Sequence, residues 1–383
     1  MLNENYTKLN ISAQYFIYFS ILGVFLPYFN LYCHRIGFSS FEVGAIASLK
    51  TFSIIVFPLF WGFLADRFSI RKQIFIIVNI FSSLIWGLFF FTSDFYPMMI
   101  IMFFYSLFHS PIVSFLEAFT VDVLGKDKNN YGKIRLWGSI GFVISVFASG
   151  YLSDKLGIFS IVVMIFAGSL IHSFLSLKIP EIAKEKTSRK NFDLSFIFNP
   201  RAALFLFAAV LMLGSHSPYY TFFSIYLSDL GYADIFIGVS WSIAVFAEIT
   251  MMHRSGYIFK KLSPEKVLVF SMFAASFRWI VLFYFNSGFV ILISQALHCF
   301  SYATFHMASI LYIDKLTPAG RKTTGQALNN ALTYGLGLMV GNFASGYFYD
   351  FSGGDLLFLG AALTAFAGAF IMLFSLKFKF KLD

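Results

Sequence analysis

Runs of about 20 apolar residues, each the length a helix needs to cross a bilayer core of about 30 Å, recur through this chain between short polar breaks. Twelve such runs lie near residues 11–33, 42–65, 73–92, 97–123, 134–153, 158–178, 202–228, 235–259, 266–285, 289–313, 325–349 and 355–376. Composition excludes a soluble globule: 58% of the 383 residues are apolar and 12% charged, about half the charge of a soluble domain. Barrel strands need only about 10 residues and alternate polar with apolar, so these longer uniform runs are helices. The first run is as long as a spanning helix and is followed at once by a second, so it is not expected to be a cleaved signal peptide.

The runs fall into two equivalent sets. The octapeptide Phe147–Asp154 (FASGYLSD) returns 196 residues later as Phe343–Asp350 (FASGYFYD), and Tyr32, Gly37 and Gly44 return as Tyr226, Gly231 and Gly238 at an offset of 194. At that offset Gly62, Asp66 and Arg67 are answered by Gly256, Lys260 and Lys261. The expected fold is therefore an all-α membrane protein of twelve transmembrane helices in two pseudo-symmetric six-helix bundles. The expected division is residues 1–179, a cytoplasmic linker over 180–200, and residues 201–383. Such halves are the usual build of an alternating-access transporter.

Basic residues set the expected orientation. With the N-terminus cytoplasmic, Lys8, Arg67, Arg71, Lys72, Lys126, Lys128, Lys133, Lys184, Lys186, Arg189, Lys190, Lys260, Lys261, Lys266, Arg321, Lys322, Lys377, Lys379 and Lys381 fall on one side, and little beyond Arg35 and Lys155 falls on the other. Both termini are expected inside, in the inner membrane of a bacterium. The net charge of +9 reads as a topology signal and a contact with anionic lipid, not as a nucleic-acid surface. Cys33 and Cys299 lie in separate runs without metal-ligand spacing, so neither a metal nor another cofactor is expected. The motifs HExxH and GxSxG and paired intramembrane aspartates are absent from the sequence, which argues against an intramembrane enzyme.

An ionised group at mid-bilayer costs about 2.5–3.5 kcal/mol on insertion scales, so chains keep one only where it is partnered or used. Lys50, Glu117, Glu248, Arg278, His298 and His306 stand at such depths. Glu248, Arg278 and His298 come out at one level on helices 8, 9 and 10, where they would form a buried triad. That triad suits proton coupling, with Glu248 carrying the proton and His298 relaying it or binding solute; a buried ion pair that only sets helix packing is the alternative. In the other half, Glu117 and Arg135 are 18 residues apart across a short turn. Lys50, Arg135 and Arg278 outnumber Glu117 and Glu248, so an anionic solute would supply the missing charge. Among 54 Phe and 20 Tyr, those near the charges are Trp137, Phe142, Tyr219, Tyr220 and Trp241. They are candidates for stacking on a solute ring or for core packing. Gly138, Gly141 and Gly150, with Gly335, Gly337, Gly341 and Gly346, permit close helix approach.

The stretch Gly62–Lys72 (GFLADRFSIRK) resembles the signature of the major facilitator superfamily, G-x-x-x-D-[RK]-x-G-[RK]-[RK], matching at Gly62, Asp66, Arg67 and Arg71, with the basic Lys72 one place further on, and departing at Ser69 and Ile70. The resemblance implies a cytoplasmic gating motif. Pro218-Tyr219-Tyr220, Ala247-Glu248, Arg278-Trp279, Gln295-(x)2-His298-Cys299 and His306-Met307-Ala308, with Tyr131–Ser139, resemble the phenylpropionate porter family within the lactose permease clan. Glu117-Ala118-Phe119 and Arg135 are similar to that permease's sugar-contacting pair, and Glu248, Arg278 and His298 to its coupling cluster. Ser301 stands where the permease has a carboxylate, and helices 7 and 11 lack its Asp–Lys pair, so coupling does not carry over whole.

The expected activity is proton-coupled uptake of a small organic or aromatic acid by alternating access. Lys50 or Arg135 would neutralise the carboxylate, and Glu248, Arg278 and His298 would handle the proton. A sugar or nucleoside symporter, or a proton-coupled exporter, is the alternative. The resemblance implies a monomer.

Overall fold

The computed structural model describes residues 2–125, 131–180, 198–318 and 321–378. Residues 181–197 of the expected linker lie outside the described residues. The helices of the first half are α1 (Leu2–Arg35), α2 (Ser40–Phe68), α3 (Arg71–Phe90), α4 (Phe95–Leu124), α5 (Tyr131–Leu156) and α6 (Ser160–Ser176). Those of the second are α7 (Pro200–Asp229), α8 (Asp234–His253), α9 (Pro264–Tyr284) and α10 (Gly288–Leu316), then one 52-residue apolar stretch from Thr324 to Ser375. Gly353, at φ 69° and ψ 174°, divides that stretch into α11 (residues 324–352) and α12 (residues 354–375). Twelve apolar helices are thus present among the described residues, as expected. Pro27, Pro58 and Pro218 sit inside α1, α2 and α7, a placement that membrane helices tolerate better than soluble ones.

The repeated glycines mark helix ends. Gly37 and Gly231 follow α1 and α7 with φ of 103° and 84°, the left-handed conformation that a residue with a Cβ resists. After α1, the Phe38 amide donates to the Cys33 carbonyl at 3.1 Å, closing the helix end.

Two compact units emerge. The first holds residues 1–38, 49–187 and 231–239; the second holds 39–48, 188–230 and 240–383. Each therefore takes in a short segment from the other half of the sequence, and a glycine crossing seats it. In unit 1 a Cβ on Gly150 would stand 2.6 Å from the Asp234 carbonyl oxygen, and one on Gly238 would stand 2.9 Å from that of Val146. In unit 2 a Cβ on Gly44 would stand 2.8 Å from the Gly346 Cα. These four glycines are two pairs of repeat mates, so one packing solution appears once per unit.

In unit 1 the start of α8 is held by charge as well. Arg35 donates to both carboxylate oxygens of Asp234 at 2.7 and 2.6 Å, and Ser153 Oγ donates at 2.5 Å. Asp154, from the repeated octapeptide, accepts from the Asp234 and Ile235 amides, each at 2.9 Å. A carboxylate on these free amides suits the positive end of the helix.

Candidate functional site

The charges of unit 2 converge on Arg278. One face of α9, with Leu268, Ser271, Ala275 and Leu282, is buried, and the same stripe carries Arg278 inward until its side chain is 0% exposed. There Nε donates to the Ser294 carbonyl at 2.8 Å, Nη2 to Gln295 Oε1 at 2.8 Å, and Nη1 to His298 Nδ1 at 2.7 Å. A guanidinium only donates, so His298 Nδ1 must accept, and a neutral His298 then carries its proton on Nε2. The guanidinium carbon also lies 4.3 Å from the Tyr219 ring centroid and 4.6 Å from that of Trp279.

Aromatic rings enclose this centre. Tyr219 stacks on Trp241 at 4.8 Å and lies 5.2 Å from His298. His298 stacks on Tyr302 at 5.2 Å and 8°, and Tyr302 on His306 at 6.1 Å and 9°. Tyr220 lies 6.2 Å from Trp241 and 6.1 Å from Tyr302. The Trp241 indole donates to Ser224 Oγ at 3.1 Å, and His306 Nδ1 meets the Tyr334 hydroxyl at 2.5 Å. His216 Nδ1 donates to the Met212 carbonyl at 2.9 Å, which leaves Nε2 as a bare acceptor. Buried polar atoms without a partner among the described residues here are His216 Nε2, the Tyr219 hydroxyl and Trp279 Nε1.

The expected Glu248–Arg278 ion pair is not formed. Glu248 lies half-buried on α8, while the donors of Arg278 are taken by the neutral Ser294, Gln295 and His298. Reading the sequence missed Ser294 and Tyr302 as site residues; their spacing of four from His298 on α10 puts all three on one face. Gln295 was in view only as part of a resemblance.

Unit 1 brings its expected residues together less closely. The Lys50 ammonium sits 3.0 Å from the Phe25 ring centroid, with no described carboxylate paired to it. Arg135 lies over Phe19 at 3.9 Å and Tyr15 at 5.5 Å instead of pairing with Glu117, which is exposed. Trp137 is 48% exposed on a stripe with Ile140, Ile144, Phe147 and Tyr151, so it does not join the site. Such an apolar stripe suits lipid. Phe142 is buried where α5 crosses α1, its carbonyl oxygen 2.6 Å from the place of a Cβ on Gly23. Both differences come from rotation about α5, which a run of apolar residues does not encode.

At the end of α2, Ser69 has φ 55°, alone among the described non-glycine residues in being left-handed. It occupies the motif position where the family has glycine. Ile70 closes the turn, its amide donating to the Ala65 carbonyl at 3.2 Å. Arg71 pairs with Asp122, and Arg67 lies 5.7 Å from the Phe68 ring. Gly62 faces open space, while Asp66 and Lys72 flank the turn. The Asp122 charge, at the end of α4, is thus engaged across helices. Among the described residues no cluster of histidine, cysteine and carboxylate has the make-up of a metal site.

The profile of the MFS_1 like family matches residues 8–360. A probable 3-phenylpropionic acid transporter of Escherichia coli strain K12 is 25% identical over 376 residues, covering 94% of this chain and 96% of that protein. Xanthosine permease of the same strain is 24% identical over 385 residues, covering 91% of each chain. The crystal structure of the nucleoside transporter NupG superposes with a TM-score of 0.88 at 18% identity, over 97% of this chain and all of that one. These relatives move solutes and catalyse no reaction, and the twelve apolar helices make the chain an integral multi-pass membrane protein. The chain belongs to the MFS_1 like family, and it is a transporter with the major facilitator fold.

Proposed function

We propose that this transporter carries a small aromatic or other organic acid together with protons, by alternating access, as a monomer of the bacterial inner membrane with both termini cytoplasmic. One observation carries the reading. Arg278 is fully buried among Tyr219, Trp279 and His298, with only neutral hydrogen-bond partners. A buried cation without a contacting ion pair is costly, and a cation ringed by aromatics matches an aromatic acid in both charge and shape. The relative described as a 3-phenylpropionic acid transporter supports that class. In unit 1, Lys50 and Arg135 are held on ring faces with no salt bridge to a described carboxylate, available to an anion.

Glu248 would take the proton, since its carboxylate has no ion pair to hold it ionised. His298 can follow only if Arg278 moves, because protonating Nδ1 removes the acceptor that Arg278 uses. Arg278 thereby links solute charge to the protonation of its neighbours. Glu248→Gln is expected to keep exchange of labelled 3-phenylpropionate across proteoliposomes at the wild-type rate but to lose accumulation driven by a pH gradient. Accumulation that persists in this variant would remove Glu248 from the coupling.

A nucleoside reading has its own support. The bare His216 Nε2, Tyr219 hydroxyl and Trp279 Nε1 could bond a base or a ribose, and the permease relative is named for xanthosine. Competition by xanthosine but not 3-phenylpropionate would favour it.

A further inference from the structure

A second ring cluster lies in unit 1, where α1, α4 and α6 meet. The His109 ring stacks between Tyr18, at 5.4 Å and 15°, and Tyr105, at 4.8 Å and 25°. His172 lies 6.1 Å from the same Tyr18 ring. Tyr105, His109 and His172 are 1%, 8% and 1% exposed, yet the Tyr105 hydroxyl and both Nε2 atoms have no hydrogen-bond partner among the described residues. One unpartnered buried atom is tolerable; three on adjoining rings point to a ligand. The rings run on toward charge. Tyr105 packs on Trp86 at 4.8 Å, Trp86 on Phe25 at 5.9 Å, and Phe25 carries the Lys50 ammonium. Lys50 also lies within electrostatic range of His109.

The internal repeat supplies an independent reason. Tyr105 and His109 stand ten and fourteen residues past Phe95, the first residue of α4. His298 and Tyr302 stand ten and fourteen past Gly288, the first residue of α10. Equivalent helices thus carry a stacked Tyr and His at the same depth, in reversed order. In unit 2 that pair lines the Arg278 centre.

We infer that Tyr105, His109 and His172, together with Lys50, form a recognition site in unit 1 for the carboxylate of the transported acid. A carboxylate would accept from the Tyr105 hydroxyl, from the Nε2–H tautomers of the two histidines, and from the ammonium. This rests on the organic-acid reading above, and selects Lys50 over Arg135 as the cation that meets the anion.

The test compares 3-phenylpropionate with its neutral amide, by calorimetric binding to the purified full-length protein in detergent. Wild type is expected to prefer the acid. Tyr105→Phe, which removes only an unpartnered oxygen, should weaken the acid about tenfold and the amide, whose carbonyl is a weaker acceptor, by less, while leaving the thermal unfolding temperature unchanged. His109→Gln should act in the same direction, and Lys50→Met should abolish the preference for the acid. Acid binding unchanged in these variants, or acid and amide weakened alike, would overturn the inference while leaving the organic-acid reading intact. Wild type that binds no acid at all would end both.

Discussion

Arg278 in unit 2 and His109 in unit 1 sit in clusters of much the same composition, each with three buried polar atoms that have no partner among the described residues, but the two residues themselves are treated differently. Each nitrogen of the Arg278 guanidinium has an acceptor supplied by α10, whereas Nε2 of His109 has none among the described residues. A satisfied polar network fixes its own geometry before any ligand arrives. An unsatisfied one is destabilised by burial and regains that loss only when something binds. The difference teaches that buried charge and hydrogen-bond capacity are separate signals. Unit 2 holds a cation fixed by neutral acceptors, with Glu248 in electrostatic range but not in contact, and unit 1 holds rings whose donors and acceptors lack partners among the described residues.

Substitution should separate the two. Arg278→Met strands Gln295 and His298 in a buried site, and is expected to abolish transport and lower stability by about 3 kcal/mol or more. Thermal unfolding in detergent would show it, and wild-type stability would mean the cluster is not a network. Gln295→Leu removes one acceptor and leaves Nη2 unpartnered, for an expected loss of about 1–3 kcal/mol by the same assay. His109→Phe keeps the ring between Tyr18 and Tyr105 but deletes the orphan nitrogen. Its stability should change by less than about 1 kcal/mol, with a gain as the natural sign, because replacing an unpartnered polar atom by an apolar one is near neutral. A large loss there would show that His109 is held by bonds of its own. Outside the comparison, Ser69→Gly should raise stability by about 1 kcal/mol by relieving a left-handed residue at the end of α2.

The fold was legible because the bilayer imposes its length on every helix. Most of the apolar runs end within a few residues of the helices they mark, the first starting nine residues late and the eighth ending six residues late, and the repeated glycines proved to be helix ends and crossings. The runs near 325–349 and 355–376 were read as two, and the chain turns between them at Gly353. The site was legible only in depth. Level along a helix follows from counting residues, which brought Arg278 and His298 together. Rotation about the axis does not, because an apolar run has no polar face to set its phase. Glu248 and Trp137 were therefore placed beside partners they do not meet, and Tyr105, His109 and His172 passed as ordinary core. The Arg35–Asp234 pair escaped for another reason: Arg35 read as a loop residue, and its partner stands 199 residues away.

The central claim is coupled movement of an acid and protons. The most direct measurement is the external pH of proteoliposomes holding the purified protein when 3-phenylpropionate, a sugar or a nucleoside is added in turn, with Glu248→Gln alongside. The account predicts alkalinisation with the acid alone, absent in the variant. A pH that does not move while labelled acid still equilibrates, or a response to the nucleoside alone, would contradict it.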